Sequence, residues 1–396
     1  MTAPAPLSKE RFRGALLGLA VGDALGAAVE FKKPGAFEPV TGMRGGGPFG
    51  LEPGQWTDDT SMALCLAESL VRQGRFDPVD QMQRYVDWYR HGHLSSTGGC
   101  FDIGNATRAA LTRFEKDGAP YQGTAAPNAA GNGPLMKLAP VPMAFAAEPA
   151  ETVKHAAESA LTTHGDPRAL DGARYLAALI AGALNGAENN ELVNNAPYGS
   201  SAGLWNEEPL HPEIAAVANG SYNTKKPPEI RGTGFVVEAL EAALWAFAHI
   251  RPFEDGVLAA VNLGDDADTT GAIYGQLAGA FYGVGAIPEL WLEQLTMRAE
   301  ITTFADELHA MAHGQTTASR PPDRRPLVEP AAAAETLPGD SYWVFEDALL
   351  AGEYPGAPTL PEARRKLGTY LDLGVPFFLD LTEEGKDRRS IPTSRC

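Results

Sequence analysis

Two acidic clusters, Thr57–Thr60 and Asp265–Thr270, lie far apart in the sequence, and each begins an apolar, glycine- and alanine-rich segment typical of a helix. Thr and Asp commonly cap helix starts and suit the positive end of the helix dipole. The five aspartates of the two clusters exceed what two caps need, because additional carboxylates nearby repel each other. Oxygen ligands without His or Cys favour Mg²⁺, Mn²⁺ or Ca²⁺. The pattern therefore leaves open two ordinary helix starts or one split metal site.

Two runs of glycine repeat every four residues, which places each run on one face of a helix. Each glycine costs about 1 kcal/mol relative to alanine inside a helix, so close backbone contact must repay the cost. We expect two central helices packed tightly inside a large helical domain. A membrane is the rival explanation, but Asp23 interrupts the first run and no stretch reaches the roughly 20 apolar residues needed to span a bilayer. The glycines are Gly14, Gly18, Gly22, Gly26, Gly271, Gly275, Gly279 and Gly283.

The chain has 396 residues and a formal net charge of −18, which argues against general nucleic-acid or membrane binding because both partners are anionic. Its cysteines, Cys65, Cys100 and Cys396, are too few and scattered for a disulfide framework, which favours a reducing compartment. Basic residues before Gly14–Val21 imitate a signal peptide, but the apolar run is short and Asp23 follows it. We expect a cytoplasmic protein, and a monomer.

Helical periodicity recurs from residue 8 to residue 314, which predicts an all-α domain over residues 1–312. The polar segment Asn185–Pro228 is predicted to be irregular. Residues 313–338, rich in Pro and Ala, are predicted to be a linker, and residues 339–396 a small α/β-like segment with a helix at Pro361–Leu373 and a strand at Pro376–Leu381. The predicted helices include Met62–Gln73, Pro78–Arg90, Gly104–Phe114, Thr152–Thr163, Arg168–Leu184, Gly234–Ala248 and Pro288–Arg298.

Several motifs in one order resemble the ADP-ribosylglycohydrolase family, especially its bacterial dinitrogenase-reductase-activating branch. The resemblance covers roughly residues 8–312 and is specific because many motifs agree. It implies an all-α fold, two Mg²⁺ or Mn²⁺ ions and a cleft for ADP-ribose. The motifs are Gly22–Gly26 with Glu30, Trp56–Thr60, Phe101–Asn105, Gly131–Met136, Thr163–His164, Arg231–Gly234 and Gly264–Gly271.

The resemblance also implies roles for individual residues. Glu30, Asp59 and Asp102 would be catalytic, with Glu30 able to take a proton or gate the site; otherwise Glu30 is a charge at a helix end. Asp265 has no counterpart among the ligands and is expected to support them or to cap a helix. Implied metal ligands are Thr57, Asp58 and Asp59 for one ion, Asp266 and Thr269 for the other, and Asp268 for both.

Substrate contacts are implied for a second group of residues. The turn Gly131–Gly133 can bring backbone N–H groups against a diphosphate, although such a turn alone is usually only a turn. His164 would line the distal ribose or phosphate region, or be structural, and Phe235 would face the substrate or pack in the core. The implied substrate-binding residues are Asp102, Gly104, Asn105, Gly131, Asn132, Gly133, Met136, His164 and Phe235.

The activity implied is metal-dependent hydrolysis of the bond between ADP-ribose and a modified protein side chain, with arginine the favoured acceptor. The alternatives are another ADP-ribosyl substrate (serine-linked, nucleic-acid-linked or a small molecule), a catalytically silent ADP-ribose-binding protein, and an unrelated metal-dependent phosphohydrolase, for which no dedicated nucleophile is visible. Residues 339–396 are similar to the opening of a dual-specificity-phosphatase-like domain. Nothing follows Cys396, so this segment lacks the phosphate-binding loop and is expected to be a truncated, inactive copy.

Overall fold

The computed structural model describes residues 5–126, 129–193 and 198–315, together with the backbone of residues 342–345 and 349–351. The chain divides into two compact units, Met1–Leu327 and Val328–Cys396. The described part of the first unit is helical, which confirms the all-α prediction for this domain. Its helices are α1 (Lys9–Gly26), α2 (Asp58–Gln73), α3 (Pro78–His91), α4 (Asn105–Asp117), α5 (Gly133–Met136), α6 (Pro140–Ala144), α7 (Pro149–Leu161), α8 (Pro167–Leu184), α9 (Asn189–Leu192), α10 (Pro212–Ala218), α11 (Val236–His249), α12 (Phe253–Val261), α13 (Ala267–Tyr282), α14 (Glu289–Gln294) and α15 (Arg298–Ala312).

The two glycine runs pack against each other, because α1 and α13 lie antiparallel with their backbones in contact. A Cβ atom added at Gly18 would lie 2.3 Å from the carbonyl oxygen of Gly275, and one added at Gly22 would lie 2.0 Å from that of Gly271. Both helices are buried over nearly their whole length. The expected tight packing is confirmed. This antiparallel arrangement sets the C-terminal end of α1 beside the acidic start of α13.

Two segments differ from the sequence-based expectation. The predicted continuous helix Pro288–Arg298 is wrong, because α14 ends at Gln294 and Met297 adopts a left-handed conformation with φ 56° before α15 begins. The irregular segment predicted at Asn185–Pro228 contains the short helices α9 and α10 and two single 3₁₀ turns. No described helix is long and apolar enough to cross a membrane.

The second unit is described only in two antiparallel strands, β1 (Tyr342–Phe345) and β2 (Leu349–Ala351). Tyr342 pairs with Ala351 and Trp343 with Leu350, and the register is irregular after Trp343. The predicted helix Pro361–Leu373, the predicted strand Pro376–Leu381 and most of the predicted linker lie outside the described residues. The phosphatase-like interpretation stays a prediction.

Candidate active site

Asp23, in the last turn of α1, anchors the acidic start of α2. Its carboxylate is fully buried and accepts four hydrogen bonds, from the backbone N–H (3.0 Å) and Oγ1 (3.0 Å) of Thr57 and from the backbone N–H (3.0 Å) and Oγ1 (2.6 Å) of Thr60. Burial raises the pKa of Asp23 to about 6, although these hydrogen bonds lower it. A carboxylate from another helix therefore caps α2, so Asp58 and Asp59 are not needed as caps.

The two acidic clusters meet at this point. Thr57 Oγ1 lies 3.2 Å from Asp268 Oδ2, and Thr269 Oγ1 donates a hydrogen bond to Asp59 Oδ1 at 3.3 Å. The side chain of Asp266, at the N-cap of α13, makes no capping hydrogen bond. Helix capping alone therefore does not account for the clusters.

Two further carboxylates reach the same place from loops. Glu30 follows α1 and Asp102 precedes α4, and one carboxylate oxygen each of Glu30, Asp102 and Asp268 lies within 4.8 Å of the others. Asp102 also shares a hydrogen bond with Asp58. The cleft thus gathers carboxylates from four separate parts of the chain.

The buried carboxylates of this cleft repel one another. Burial first, and then neighbouring carboxylates, raise the pKa values of Asp58, Asp59 and Asp268 well above the usual range and that of Glu30 to about 10. Three buried oxygens, Glu30 Oε2, Asp59 Oδ2 and Asp268 Oδ1, have no hydrogen-bond partner among the described residues. Unpartnered, closely spaced carboxylate oxygens fit divalent cations, which bind hard oxygen ligands.

Asp266 connects this acidic cleft to the Gly131–Gly133 turn. Asn132 Nδ2 donates to Asp266 Oδ2 at 2.7 Å, and the backbone N–H of Asp266 donates to the carbonyl of Gly232 at 2.8 Å. The turn itself is held by an isolated antiparallel bridge between Gly131 and Phe235. Asp266 is therefore held by the side-chain amide of Asn132, a residue of the turn itself.

His164 lies directly under this turn. A Cβ atom at Gly133 would lie 2.8 Å from His164 Cε1, and one at Gly131 would lie 3.1 Å from Nε2, so this imidazole leaves little room for a side chain at either position. Nδ1 lies 2.9 Å from Thr163 Oγ1, to which Lys137 Nζ donates at 3.3 Å. Burial and the charge of Lys137 lower the pKa of His164 to about 3. When Lys137 is protonated, the Thr163 proton is directed to Nδ1, and Nε2 of the neutral ring carries the N–H.

The other predicted substrate-binding residues, Met136, Phe235, Gly104 and Asn105, lie in different surroundings. Met136 Sδ lies 4.0 Å from Thr269 Oγ1, next to the acidic cleft. The half-buried ring of Phe235 has the guanidinium carbon of Arg168 at 5.3 Å from its centroid. Gly104 and Asn105 are exposed at the start of α4, where Asn105 accepts a hydrogen bond from Arg108. No hydrogen bond among the described residues joins those last two to the acidic cleft.

Sequence reasoning missed two residues that hold this site. Asp23 interrupts an apolar run and belongs to the Gly22–Gly26 motif, but neither pattern gives it a role. An acidic residue inside a buried glycine-rich helix is itself the signal of a partner. Lys137 is fully buried between the apolar residues Met136 and Leu138. Its burial and nearby carboxylates were not visible from the local sequence.

Comparison with known proteins agrees with this geometry. The family model of the ADP-ribosylglycohydrolases matches residues 4–318. The chain is 44% identical over 299 residues to ADP-ribosylarginine hydrolase Tri1 of Pseudomonas putida, covering 76% of this chain and 78% of that protein. It is 33% identical over 323 residues to the ADP-ribosyl-[dinitrogen reductase] glycohydrolase of Rhodospirillum rubrum, covering 78% and 98%.

A solved structure of an ADP-ribosylglycohydrolase-related protein complex is 48% identical to this chain, with a TM-score of 0.67. It covers 77% of this chain, and the match takes in 98% of the solved chain. Family match, sequence identity and fold agree over the helical domain. The chain therefore belongs to the ADP-ribosylglycohydrolase family.

Proposed function

We propose that this protein hydrolyses the N-glycosidic bond between ADP-ribose and an arginine side chain and that it uses two Mg²⁺ or Mn²⁺ ions. The observation that carries this proposal is the convergence of buried carboxylates with unpartnered oxygens in a member of this family. The acceptor is inferred from the relative that is named for ADP-ribosylarginine. The residues proposed to hold the ions are Thr57, Asp58, Asp59, Asp266, Asp268 and Thr269.

Divalent cations at these residues would supply positive charge that binds ribose hydroxyls and lowers the pKa of a nearby water. Glu30 Oε2 is buried without a hydrogen-bond partner among the described residues. Burial and the repulsion of neighbouring carboxylates raise the pKa of Glu30, and that repulsion would be offset by cations held at the aspartates. We assign the ionised Glu30 the role of accepting a proton from the attacking water. The water oxygen bonds to ribose C1″ as the bond from C1″ to the guanidine nitrogen breaks. We assign Asp102, with a carboxylate oxygen within 4.8 Å of one of Glu30, the role of orienting the ribose or of passing a proton to that nitrogen.

The diphosphate is assigned to the other end of the cleft. The Gly131–Gly133 turn is fixed through Asn132 and Asp266, and the backbone N–H of Asn132 donates to the carbonyl of Gly234. We therefore assign the N–H groups of Gly131 and Gly133 to phosphate oxygens. His164 adds a neutral N–H donor beneath the same turn. A neutral ring donates without the cost of burying a second charge beside Lys137. These contacts hold ADP-ribose while the bond at the opposite end is cleaved.

The experiment compares peptides of one sequence carrying ADP-ribose on arginine or on serine, and an ADP-ribosylated oligonucleotide. Each is incubated with Mg²⁺, with Mn²⁺ or with EDTA. We expect release of ADP-ribose from the arginine peptide with either metal and none with EDTA. Preferred release from serine or from nucleic acid would assign another ADP-ribosyl substrate. Binding of ADP-ribose without release from any substrate would show a silent binding protein.

A further inference from the structure

Beside the acidic cleft lies an aromatic cluster of Phe31, Phe49 and Phe101, here called the aromatic platform. Phe31 is 66% exposed, and its ring centroid lies 6.5 Å from that of Phe49 in an edge-to-face arrangement. The Phe49 centroid lies 5.2 Å from that of Phe101. Among the described residues, only Phe31, Tyr121 and Leu290 are large apolar side chains with this degree of exposure. Phe31 is therefore an unusual residue on this surface.

Phe31 is held at this position by the backbone of Asp265, which lies directly before the acidic start of α13. Its φ is 61°, in the left-handed region that aromatic residues rarely adopt. Its N–H donates to the carbonyl of Asp265 at 2.7 Å, and the N–H of Asp265 donates back to the carbonyl of Lys32 at 2.7 Å. Asp265 also has a positive φ, of 53°. Strained backbone conformations that the surrounding structure holds in place cluster at functional sites.

The platform adjoins Glu30 and Asp102, the two carboxylates to which the proposed function assigns the bond-cleaving chemistry. Phe31 directly follows Glu30, and Phe101 directly precedes Asp102. Asn132 and the glycine turn lie on the Asp266 side. With the ribose over the carboxylates and the diphosphate at the turn, the group attached to ribose C1″ points toward Glu30 and Asp102. Because Phe31 and Phe101 flank these two residues in the sequence, their rings are candidates to contact the acceptor side chain.

We propose that the aromatic platform binds the guanidinium group of the ADP-ribosylated arginine, with Phe31 as its principal contact; this inference rests on the proposed function. A guanidinium group is planar and cationic, and it stacks on aromatic faces. The carboxylates of Glu30 and Asp102 favour a cation at the same place. Lys32 and Lys33 are exposed next to Phe31, and their positive charges repel a cationic guanidinium group. Contact with the ring, rather than the net surface charge, therefore selects the acceptor. A serine acceptor has no planar cation to stack.

The test uses the full-length chain with Mg²⁺ and an arginine-ADP-ribosylated peptide. Phe31→Ala removes the ring, Phe31→Leu keeps apolar bulk without a π face, and Phe31→Tyr keeps the face. We expect kcat/KM to fall about 5-fold for Ala and for Leu, mainly through KM, and to stay near wild type for Tyr. Leu290→Ala removes a side chain of matching exposure (64%) and should change nothing. The affinity for free ADP-ribose, measured by calorimetry, should be unchanged in all variants because ADP-ribose lacks the guanidinium group.

Three results would overturn the inference. Wild-type kcat/KM in Phe31→Ala would show that the ring does not contact the acceptor. Full activity in Phe31→Leu with loss in Phe31→Ala would assign bulk rather than stacking. An equal loss of ADP-ribose affinity would move Phe31 to the ADP-ribose side of the cleft. If the wild-type protein itself releases nothing from the arginine peptide, the proposed function fails first and the inference falls with it.

Discussion

Helix α2 carries two buried acidic sites that the protein treats in opposite ways. At its first turn, Asp58 and Asp59 face other carboxylates, and Asp59 Oδ2 has no partner among the described residues. Further along the helix, Glu68 forms an ion pair with Arg84 at 2.5 Å and lies 2.7 Å from His93 Nε2. Both sites are buried, so burial alone does not distinguish them.

The difference is whether the protein supplies its own cation. Burial raises the pKa of Glu68, but the hydrogen bond with His93 and the charge of Arg84 outweigh it and bring the pKa to about 2. At the first turn, the buried Lys137 interacts electrostatically with Asp58 and Asp59, but its hydrogen bond goes to Thr163 instead of to a carboxylate. A charge that the chain neutralises itself is structural. A cluster of carboxylates that the chain leaves unneutralised, in spite of their mutual repulsion, is suited to external cations.

The largest predicted effect comes from removing a carboxylate from the unneutralised acidic cleft. Asp268→Asn keeps the shape of the side chain but removes the negative charge of the proposed bridging ligand. Mutation of a residue that only hydrogen-bonds to a metal ligand typically lowers activity about 10–100-fold. We therefore expect loss of a ligand itself to lower kcat by more than about 100-fold. Asp265→Asn is the matched control, because asparagine tolerates the positive φ and the contacts of Asp265 described above are made by its backbone. Most activity should survive there. Equal losses in both variants at saturating Mg²⁺ would contradict the ligand assignment.

The next effect comes from pushing α1 away from α13. Because Asp23 of α1 holds the start of α2, this shift also moves the two acidic clusters relative to each other. In Gly22→Ala the new methyl group would lie 2.0 Å from the carbonyl oxygen of Gly271, so the helices must shift. The expected destabilisation is about 3 kcal/mol, with a weaker response of the melting temperature to Mg²⁺. Gly285→Ala serves as the control because nothing lies within 4 Å of its added methyl group. An unchanged urea midpoint for Gly22→Ala would disprove the close contact.

A third pair of variants sharpens the comparison by predicting opposite signs. Glu68→Gln leaves the buried Arg84 with Asp80 as its only ion-pair partner among the described residues. We expect this variant to be less stable by about 2 kcal/mol. Asp59→Asn should stabilise the metal-free protein by about 1 kcal/mol, because it removes a repelling charge. Urea unfolding in EDTA measures both. The same sign for both would mean that the two acidic sites do not differ as described.

The sequence was sufficient for patterns that repeat along one helix. The glycine spacing predicted close packing, because it follows from helix periodicity. The surplus of aspartates over what two caps need left a shared metal site as one of two interpretations. The sequence did not reveal that the two glycine runs contact each other, since spacing identifies a face but not its partner. The role of Asp23 was missed for the same reason: its place in a buried helix signals a partner, but nothing local identifies that partner as the start of α2 at Asp58.

Local conformations imposed by tertiary contacts were also beyond the sequence. Met297 and Phe31 both take left-handed backbone conformations that nothing in their side chains favours. The first divided a helix that was predicted to be continuous. The second places an aromatic ring beside the acidic cleft through hydrogen bonds with Asp265, which lies far away in the sequence.

The smallest predicted effect is the pH dependence of the self-neutralised site. The pKa of Glu68 is about 2 in the folded protein against a reference of 4.5, so its stabilising contribution is complete above pH 4.5 and is lost as pH falls toward 2. The stability difference between wild type and Glu68→Gln should therefore shrink by about 1 kcal/mol between pH 7 and pH 4. The measurement needs saturating Mg²⁺, because the carboxylates of the metal-free cleft have raised pKa values and shift stability in the opposite direction. A difference that stays constant down to pH 4 would show that the Arg84 and His93 contacts do not hold Glu68 ionised.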